Sequence, residues 1–148
     1  PQSQFLITLC QPLYQEAGEG QTAKATTCIV FLHGYGSNRL ECLNLLPFIS
    51  SGVMKKDDEA QSCALCSLDF SGSGKSQGDQ VTYGVKEQED IGKQFSIRDC
   101  TLNYLRKRGF IRFVLWGRSM GATTALLFSQ RHPEGLVLQV IDSAFYSF

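Results

Sequence analysis

The sequence has no surplus of either charge and no long apolar run, and these absences exclude several classes of protein. Fourteen Lys and Arg residues balance fourteen Asp and Glu residues, so the net charge is zero with neutral histidines. The longest basic run, residues 106–108, is too short to form the basic surface typical of nucleic-acid binding. No apolar run approaches the ~20 residues that span a bilayer. The composition therefore predicts neither a nucleic-acid partner nor a membrane-spanning segment.

The sequence also lacks internal repeats, low-complexity tracts and the basic and apolar regions of a signal peptide. Because the chain begins at Pro1 and not at Met, the sequence does not decide whether an upstream targeting segment has been lost. A length of 148 residues and 43% apolar composition are typical of one globular domain. We therefore expect residues 1–148 to form a single domain. The sequence predicts no particular oligomeric state.

The six cysteines are interpreted as buried thiols and not as a disulfide framework. Most of them lie in apolar segments, where cysteine behaves as a small hydrophobic residue. Cys63 and Cys66 have the C-x-x-C redox spacing, but they lie inside a predicted strand, whereas a redox pair belongs at a helix N-terminus. This pattern favours a reducing, cytoplasmic location.

Strand-like and helix-like segments alternate along the chain. Apolar runs without alternation predict buried strands at 27–33, 62–69, 111–116 and 136–141, and residues 5–9 are interpreted as a further strand-like segment. Helical patterns occupy 39–50, 86–108 and 123–131, and a loop is expected over 17–26. The alternation predicts an α/β fold, a three-layer sandwich with a mostly parallel central sheet. Ligands bind such sheets at the carboxyl ends of the strands, so the site should lie in the turns that follow them.

The stretch GSGKS at 72–76 matches half of a phosphate-binding P-loop. The full pattern requires a glycine five positions before Gly74 and a helix directly after the serine. Position 69 is aspartate, and Gly78 and Gly84 disfavour a helix. The segment is therefore interpreted as a loop with Lys75 exposed, and nucleotide binding is the weakest of the alternatives.

The pentapeptide GRSMG at 117–121 follows a predicted strand and fits G-x-S-x-G, the pattern of a nucleophile elbow. The sharp turn from strand to helix needs Gly117 and Gly121, because side chains there would collide with the neighbouring backbone. Ser119 is the predicted nucleophile, and a glycine-rich turn without catalysis is the alternative. The N–H of Met120, directly after the serine, is predicted to be one of two oxyanion donors.

The second donor is expected in FLHGYGSNR, which follows the first core strand. Gly34 and Gly36 let the backbone approach a ligand closely, and the N–H of Tyr35 is the predicted donor. His33, directly before this loop, is interpreted as a residue that holds the loop through its ring nitrogens. His132 follows the helix after the elbow and should face the opposite end of the sheet, so it is not expected to act as the base.

Four motifs in order resemble the α/β-hydrolase superfamily: His33-Gly34, the D-x-x-G-x-G-x-S of 69–76, LWGRSMGA and VIDSAF. The resemblance spans about residues 27 to 146. The branch it resembles is that of the serine hydrolases that include X-Pro dipeptidyl-peptidase-like proteins and protein depalmitoylases. It implies cleavage of an ester, thioester or amide in a small-molecule, acylated or peptide substrate, through an acyl intermediate on Ser119. No cofactor and no metal are expected.

The sequence departs from this family in its triad, which runs Ser, then Asp or Glu, then His. Only 29 residues follow Ser119, and His132 is the sole histidine among them. Asp142 lies where a few lipases place the acid, although hydrogen bonding within its own turn is the favoured role. We therefore expect the chain to be the N-terminal part of a longer hydrolase. The alternative is a non-catalytic domain that binds a partner or an acyl ligand in the retained cleft.

Overall fold

A five-stranded sheet with helices on both faces makes up the part of the chain that the computed structural model describes, residues 7–10, 26–50, 63–78, 80–92 and 100–145. The strands are β1 (Ile7–Cys10), β2 (Thr27–Leu32), β3 (Cys63–Leu68), β4 (Arg112–Arg118) and β5 (Leu136–Asp142). A 3₁₀ helix (Arg39–Leu45) leads into α1 (Leu46–Ser50), and α2 (Glu87–Ile91), α3 (Thr101–Lys107) and α4 (Met120–Ser129) follow. None of these helices is long and apolar enough to cross a lipid bilayer.

The sheet has the strand order β1-β3-β2-β4-β5. Strands β2, β3, β4 and β5 are parallel to one another, and β1 pairs antiparallel with β3 at one edge. Strands β2 and β3 are buried along almost their whole length, since both of their faces are covered. The prediction of a mostly parallel central sheet is confirmed.

Two apolar clusters, one on each face of the sheet, form the core. The first lies under α2, α3 and α4 and contains residues such as Leu32, Phe70, Phe113, Met120 and Phe128. The second lies under the 3₁₀ helix and α1 and contains Ile29, Phe31, Cys42, Leu45, Leu65 and Val114. Helices therefore cover both faces, and the predicted three-layer α/β sandwich is confirmed.

The single helix predicted over 86–108 is wrong at Gly92. Helix α2 ends at Ile91, and Gly92 has extended backbone with φ −165° and ψ 121°. The aromatic ring of Phe128, from α4, occupies the space beside it: a Cβ at Gly92 would lie 2.8 Å from the ring. Glycine is also a weak helix former, so the chain leaves the helix here and α3 begins at Thr101. The helical pattern over 86–108 rests on an apolar stripe at Ile91, Phe95, Leu102 and Leu105. Ile91, Leu102 and Leu105 are buried, and Phe95 lies outside the described residues.

The other predicted elements are present with shifted boundaries. The strand predicted over 5–9 corresponds to β1, and residues 5 and 6 lie outside the described residues. The loop predicted over 17–26 lies outside them except for Thr26. The helix predicted to begin at 123 begins at Met120, because the carbonyl of Ser119 already accepts hydrogen bonds from the N–H groups of Ala122 and Thr123.

Five of the cysteines are free thiols, and all of these except Cys63 are buried: Cys28, Cys42, Cys63, Cys66 and Cys100. The C-x-x-C pair lies inside β3, as predicted. Burial raises the pKa of Cys63. A hydrogen bond with Cys28, together with burial, raises the pKa of Cys66. Neither thiol is therefore activated as a thiolate, which a redox pair would require.

The glycine-rich segment after β3 encloses a carboxylate of its own chain. The fully buried Asp69 accepts hydrogen bonds from the N–H groups of Arg39 (2.7 Å) and Lys75 (2.9 Å), and it forms an ion pair with the Arg39 guanidinium. Gly74 has a φ of +57°, and a Cβ there would lie 2.3 Å from Asp69 Cγ. The Lys75 side chain is exposed, and the next helix, α2, begins only at Glu87. The glycines therefore let the loop close around Asp69, and the segment lacks the helix of a P-loop.

The Asp69 contacts predict unequal effects of two substitutions in this loop. Asp69→Asn should lower the free energy of unfolding by about 2–4 kcal/mol, because an amide nitrogen would face buried donors and Arg39 would lose its counter-ion. Lys75→Ala keeps the backbone N–H and should change it by less than about 0.5 kcal/mol. Urea denaturation measures both. A larger loss for Lys75→Ala than for Asp69→Asn would contradict this account of the loop.

Candidate active site

Ser119 occupies a strained turn between β4 and α4. Its φ is +51° and its ψ is −114°, a conformation that residues other than glycine rarely adopt. Its N–H donates a hydrogen bond of 2.8 Å to the carbonyl of Asp142, at the end of β5. The residue is half-buried. The turn therefore holds a partly accessible hydroxyl at the carboxyl ends of the parallel strands.

Gly117 and Gly121 allow the backbone segments around Ser119 to touch. A Cβ at Gly121 would lie 2.0 Å from the carbonyl oxygen of Leu32, the last residue of β2. A Cβ at Gly117 would lie 2.3 Å from the carbonyl oxygen of Gly121. Because the obstructing atoms belong to the backbone, no side-chain movement would relieve either clash. The start of α4 therefore packs directly on the ends of β2 and β4.

The loop after β2 lies beside the serine. Gly34 packs against the elbow, where a Cβ at this position would lie 3.6 Å from Ser119 Cβ. His33 is fully buried; its Nδ1 donates to the Gly34 carbonyl (2.8 Å) and its Nε2 accepts from the N–H of Phe70 (3.2 Å). Burial lowers the pKa of His33, which favours the neutral ring. Both ring nitrogens are thus engaged in joining the loop after β2 to the loop after β3.

The two predicted oxyanion donors flank this contact. Tyr35 directly follows Gly34, and its side chain is 62% exposed. Met120 is the first residue of α4, a position whose N–H has no partner within the helix. The structure therefore brings Ser119, the Gly34–Tyr35 peptide and the N-terminus of α4 to the same end of the sheet.

Glu41, which sequence reasoning missed, bridges the same two segments. Its carboxylate accepts a hydrogen bond from the Gly34 N–H (3.3 Å) and pairs with the guanidinium of Arg118, the residue before the serine. Burial alone would raise the pKa of Glu41, but hydrogen bonds from Ser37, Arg118 and Gly34 lower it overall. A carboxylate two positions into a 3₁₀ helix carries no signal of this role in sequence.

The two C-terminal residues considered for the triad lie in different places. Asp142 is exposed at the end of β5, where its carboxylate accepts a hydrogen bond of 2.8 Å from the Ser143 hydroxyl. His132 lies between α4 and β5, before the amino end of β5. Ser119 follows the carboxyl end of β4, which is parallel to β5, so the structure does not bring His132 to the serine.

An aromatic cluster beside the elbow was also missed. The ring of Tyr83 lies 5.1 Å from that of Tyr35 and 6.1 Å from that of Phe145. These residues come from three separate loops, so no local pattern in the sequence links them. Within the ranges that the structure describes, no group of three or more His, Cys, Asp and Glu side chains is arranged to hold a metal ion.

Comparison with known proteins identifies the family. Residues 27–145 match the family model of the alpha/beta hydrolase fold. The chain belongs to the α/β-hydrolase family. The predicted superfamily is thereby confirmed, and the particular branch stays a prediction. No curated protein matches the chain.

Solved hydrolases have the same fold as the chain. An esterase of Pyrococcus furiosus is 25% identical, with a TM-score of 0.58 over 81% of this chain and 42% of its own. An esterase of Exiguobacterium antarcticum is 17% identical, with a TM-score of 0.62 over 96% of this chain and 42% of its own. An enol-lactonase of Burkholderia xenovorans is 14% identical, with a TM-score of 0.63 over 96% of this chain and 44% of its own. This α/β-hydrolase chain thus spans less than half the length of these proteins.

The backbone contact at Gly121 predicts a large effect of one added methyl group. Gly121→Ala should lower the free energy of unfolding by about 3 kcal/mol, because the Leu32 carbonyl cannot move without disturbing β2. Gly36→Ala is the matched control: its φ is +71°, but nothing lies within 4 Å of its Cβ position. We expect it to cost about 1 kcal/mol, from the left-handed backbone alone. Equal losses in urea denaturation would argue against the proposed contact.

The buried Glu87 predicts a change in acid stability. Burial would raise its pKa, but hydrogen bonds from Thr82 and Gly84 lower it below the ordinary 4.5. The carboxylate therefore stabilises the fold above about pH 4.5, and this contribution is lost as the pH falls through the folded-state pKa. When the pH is lowered from about 6 to about 3.5, the free energy of unfolding of Glu87→Gln should fall less than that of the parent. Urea denaturation at each pH measures this change, and a Glu87→Gln curve parallel to that of the parent would refute the expectation.

Proposed function

We propose that the chain carries the nucleophile of a serine hydrolase that cleaves an ester, thioester or amide. The observation that carries this proposal is the left-handed Ser119, held between two glycine contacts with Gly34 packed against it. Membership of the α/β-hydrolase family supports a hydrolytic reaction in general, as do the esterase and lactonase structures of the same fold.

In the proposed reaction the Ser119 oxygen attacks the scissile carbonyl carbon while its proton passes to a general base. The N–H groups of Tyr35 and Met120 donate to the oxygen as it gains negative charge. The carbon–oxygen, carbon–sulfur or carbon–nitrogen bond to the leaving group then breaks, and the leaving group takes up the proton. Water releases the acyl group from Ser119 in a second attack of the same kind.

The general base of this proposal is a histidine outside these 148 residues. His33 has both ring nitrogens engaged, and His132 lies before the amino end of β5. The carboxylate of Asp142 bonds its own turn through Ser143. A serine without a base is a weak nucleophile at neutral pH, so the base decides the rate.

The substrate of the proposed enzyme is a small molecule or an acylated or peptide molecule that reaches the half-buried Ser119 from the carboxyl edge of the sheet. The cytoplasmic location stays a prediction from the buried cysteines. The alternative, a non-catalytic module that binds an acyl ligand at this edge, is separated from the enzyme by the experiment below.

A fluorophosphonate probe tests the nucleophile in the complete gene product that carries this chain. Labelling should occur at Ser119 and disappear in Ser119→Ala, and ester hydrolysis should fall by at least about 10³-fold. Ser129→Ala, at the opposite end of α4, is the control and should leave both unchanged. Mass spectrometry of the labelled peptide locates the adduct. Label that persists in Ser119→Ala would sink the assignment, and an unlabelled protein that still binds acyl ligands would favour the binding module.

A further inference from the structure

The segment 82–84, ahead of α2, is held in an unusual conformation against the start of α4. Tyr83 has a φ of +53°, in a region that a bulky residue rarely adopts. The next residue, Gly84, has a φ of +114°, and a Cβ there would lie 3.3 Å from Thr123 Cγ2 and from the Thr124 nitrogen. These contacts are with the first turns of α4, the helix that Ser119 caps. Strain of this kind persists only where the surroundings impose it.

Glu87 imposes this conformation. Its carboxylate accepts three hydrogen bonds of 2.7 Å, from the Thr82 N–H, the Thr82 hydroxyl and the Gly84 N–H. These donors stand on either side of Tyr83 in the chain, and Glu87 is 1% exposed. Bonds from backbone N–H groups to a buried carboxylate are among the stronger hydrogen bonds in proteins. The backbone of Tyr83 is therefore fixed from both sides.

The Tyr83 ring thereby contacts a ring from each of two segments that touch the serine through their backbone. It lies 5.1 Å from the Tyr35 ring at an angle of 31°, and 6.1 Å from the Phe145 ring at 79°. Tyr35 follows the loop residue that packs against Ser119. Phe145 lies three residues after Asp142, whose carbonyl binds the Ser119 N–H. We call Tyr35, Tyr83 and Phe145 the aromatic shelf.

The aromatic shelf lies partly against the core and partly at the surface, as a binding surface would. Tyr83 and Phe145 pack in part against the main apolar cluster. Tyr35, whose N–H is a predicted oxyanion donor, is 62% exposed. The Tyr83 ring packs against the exposed Tyr35 ring and is itself held by Phe145. A ring supported in this way presents a face for stacking, and offset or tilted stacking is the arrangement that aromatic groups prefer.

We propose that the aromatic shelf binds an aromatic group of the substrate beside Ser119, and that Glu87 is the residue that positions Tyr83 for this contact. The proposal rests on the proposed hydrolase function and specifies its substrate class. The aromatic group lies on the acyl side or on the leaving-group side of the scissile bond, and separate substrates distinguish these two arrangements.

The test compares aromatic with aliphatic esters in the complete gene product. Ethyl phenylacetate carries the ring on the acyl side, benzyl butyrate carries it on the leaving group, and ethyl butyrate has none. Tyr83→Ala should lower the aromatic-to-aliphatic ratio of kcat/KM about five- to tenfold for one of the two aromatic esters. Tyr83→Phe should keep the ratio of the parent protein, because the ring and not the hydroxyl provides the stacking surface. A ratio unchanged in Tyr83→Ala would overturn the proposal.

A matched pair of carboxylate substitutions tests the role of Glu87. Glu87→Gln should lower the aromatic-to-aliphatic ratio in the same direction as Tyr83→Ala. Asp90 is a second buried carboxylate on α2, but it binds the N–H (2.8 Å) and hydroxyl (3.0 Å) of Ser71, in another loop. Asp90→Asn should therefore reduce stability without changing the ratio. If both variants lower the ratio equally, or neither does, Glu87 has no specific positioning role.

Direct binding separates failure of the shelf from failure of the proposed hydrolase. Ligand-observed NMR in a Ser119→Ala background uses phenylacetamide, with the ring on the acyl side, and N-benzylbutyramide, with the ring on the leaving-group side. One of the two should show binding that weakens about fivefold when Tyr83→Ala is added. If fluorophosphonate labelling fails but this binding pattern holds, the serine hydrolase assignment falls and the shelf stands. If labelling succeeds but the binding is absent or insensitive to Tyr83→Ala, the shelf falls and the hydrolase stands.

Discussion

The contact between the start of α4 and the end of β2 governs the arrangement of this edge of the sheet. Without a side chain at Gly121, the helix backbone rests on the Leu32 carbonyl, and Gly117 packs in turn on Gly121. Three backbone segments therefore meet with no side chain between them. The geometry leaves Ser119 in a left-handed conformation, half-buried, with the β2 loop in contact. The strain at one residue is offset by the packing of its neighbours.

Buried carboxylates organise the loops around this contact. The buried Asp69, Glu87 and Asp90 and the partly buried Glu41 each accept a hydrogen bond from a backbone N–H of an irregular segment at the carboxyl edge. Irregular backbone near a core needs such partners, because its donors have no neighbouring strand or helix to bond. A carboxylate accepts several donors at once and binds each more strongly than a neutral acceptor would. The acidic residues of this electrically balanced chain thus serve in part as internal acceptors for its loops.

The proposed chemistry uses this rigidity. An oxyanion site lowers a barrier only when its donors are in place before the charge develops. Here His33 binds the carbonyl of the Gly34–Tyr35 peptide, Glu41 binds the N–H of Gly34, and the Met120 N–H is fixed by the helix it begins. The same loops carry the rings of the aromatic shelf. In the proposed enzyme, the same hydrogen bonds would therefore hold both the substrate-binding rings and the oxyanion donors in place.

The sequence by itself determined the α/β class, the parallel strands and the position of the sharp turn at 117–121, because burial on both faces and glycine spacing are local properties. The end of α2 at Gly92 escaped prediction, since it depends on Phe128 from a distant helix. The Glu41–Arg118 bridge and the approach of Tyr83 to Tyr35 were likewise decided by tertiary structure. A carboxylate or a tyrosine looks the same in sequence whether it faces solvent or a partner, and only the folded backbone sets which residues meet.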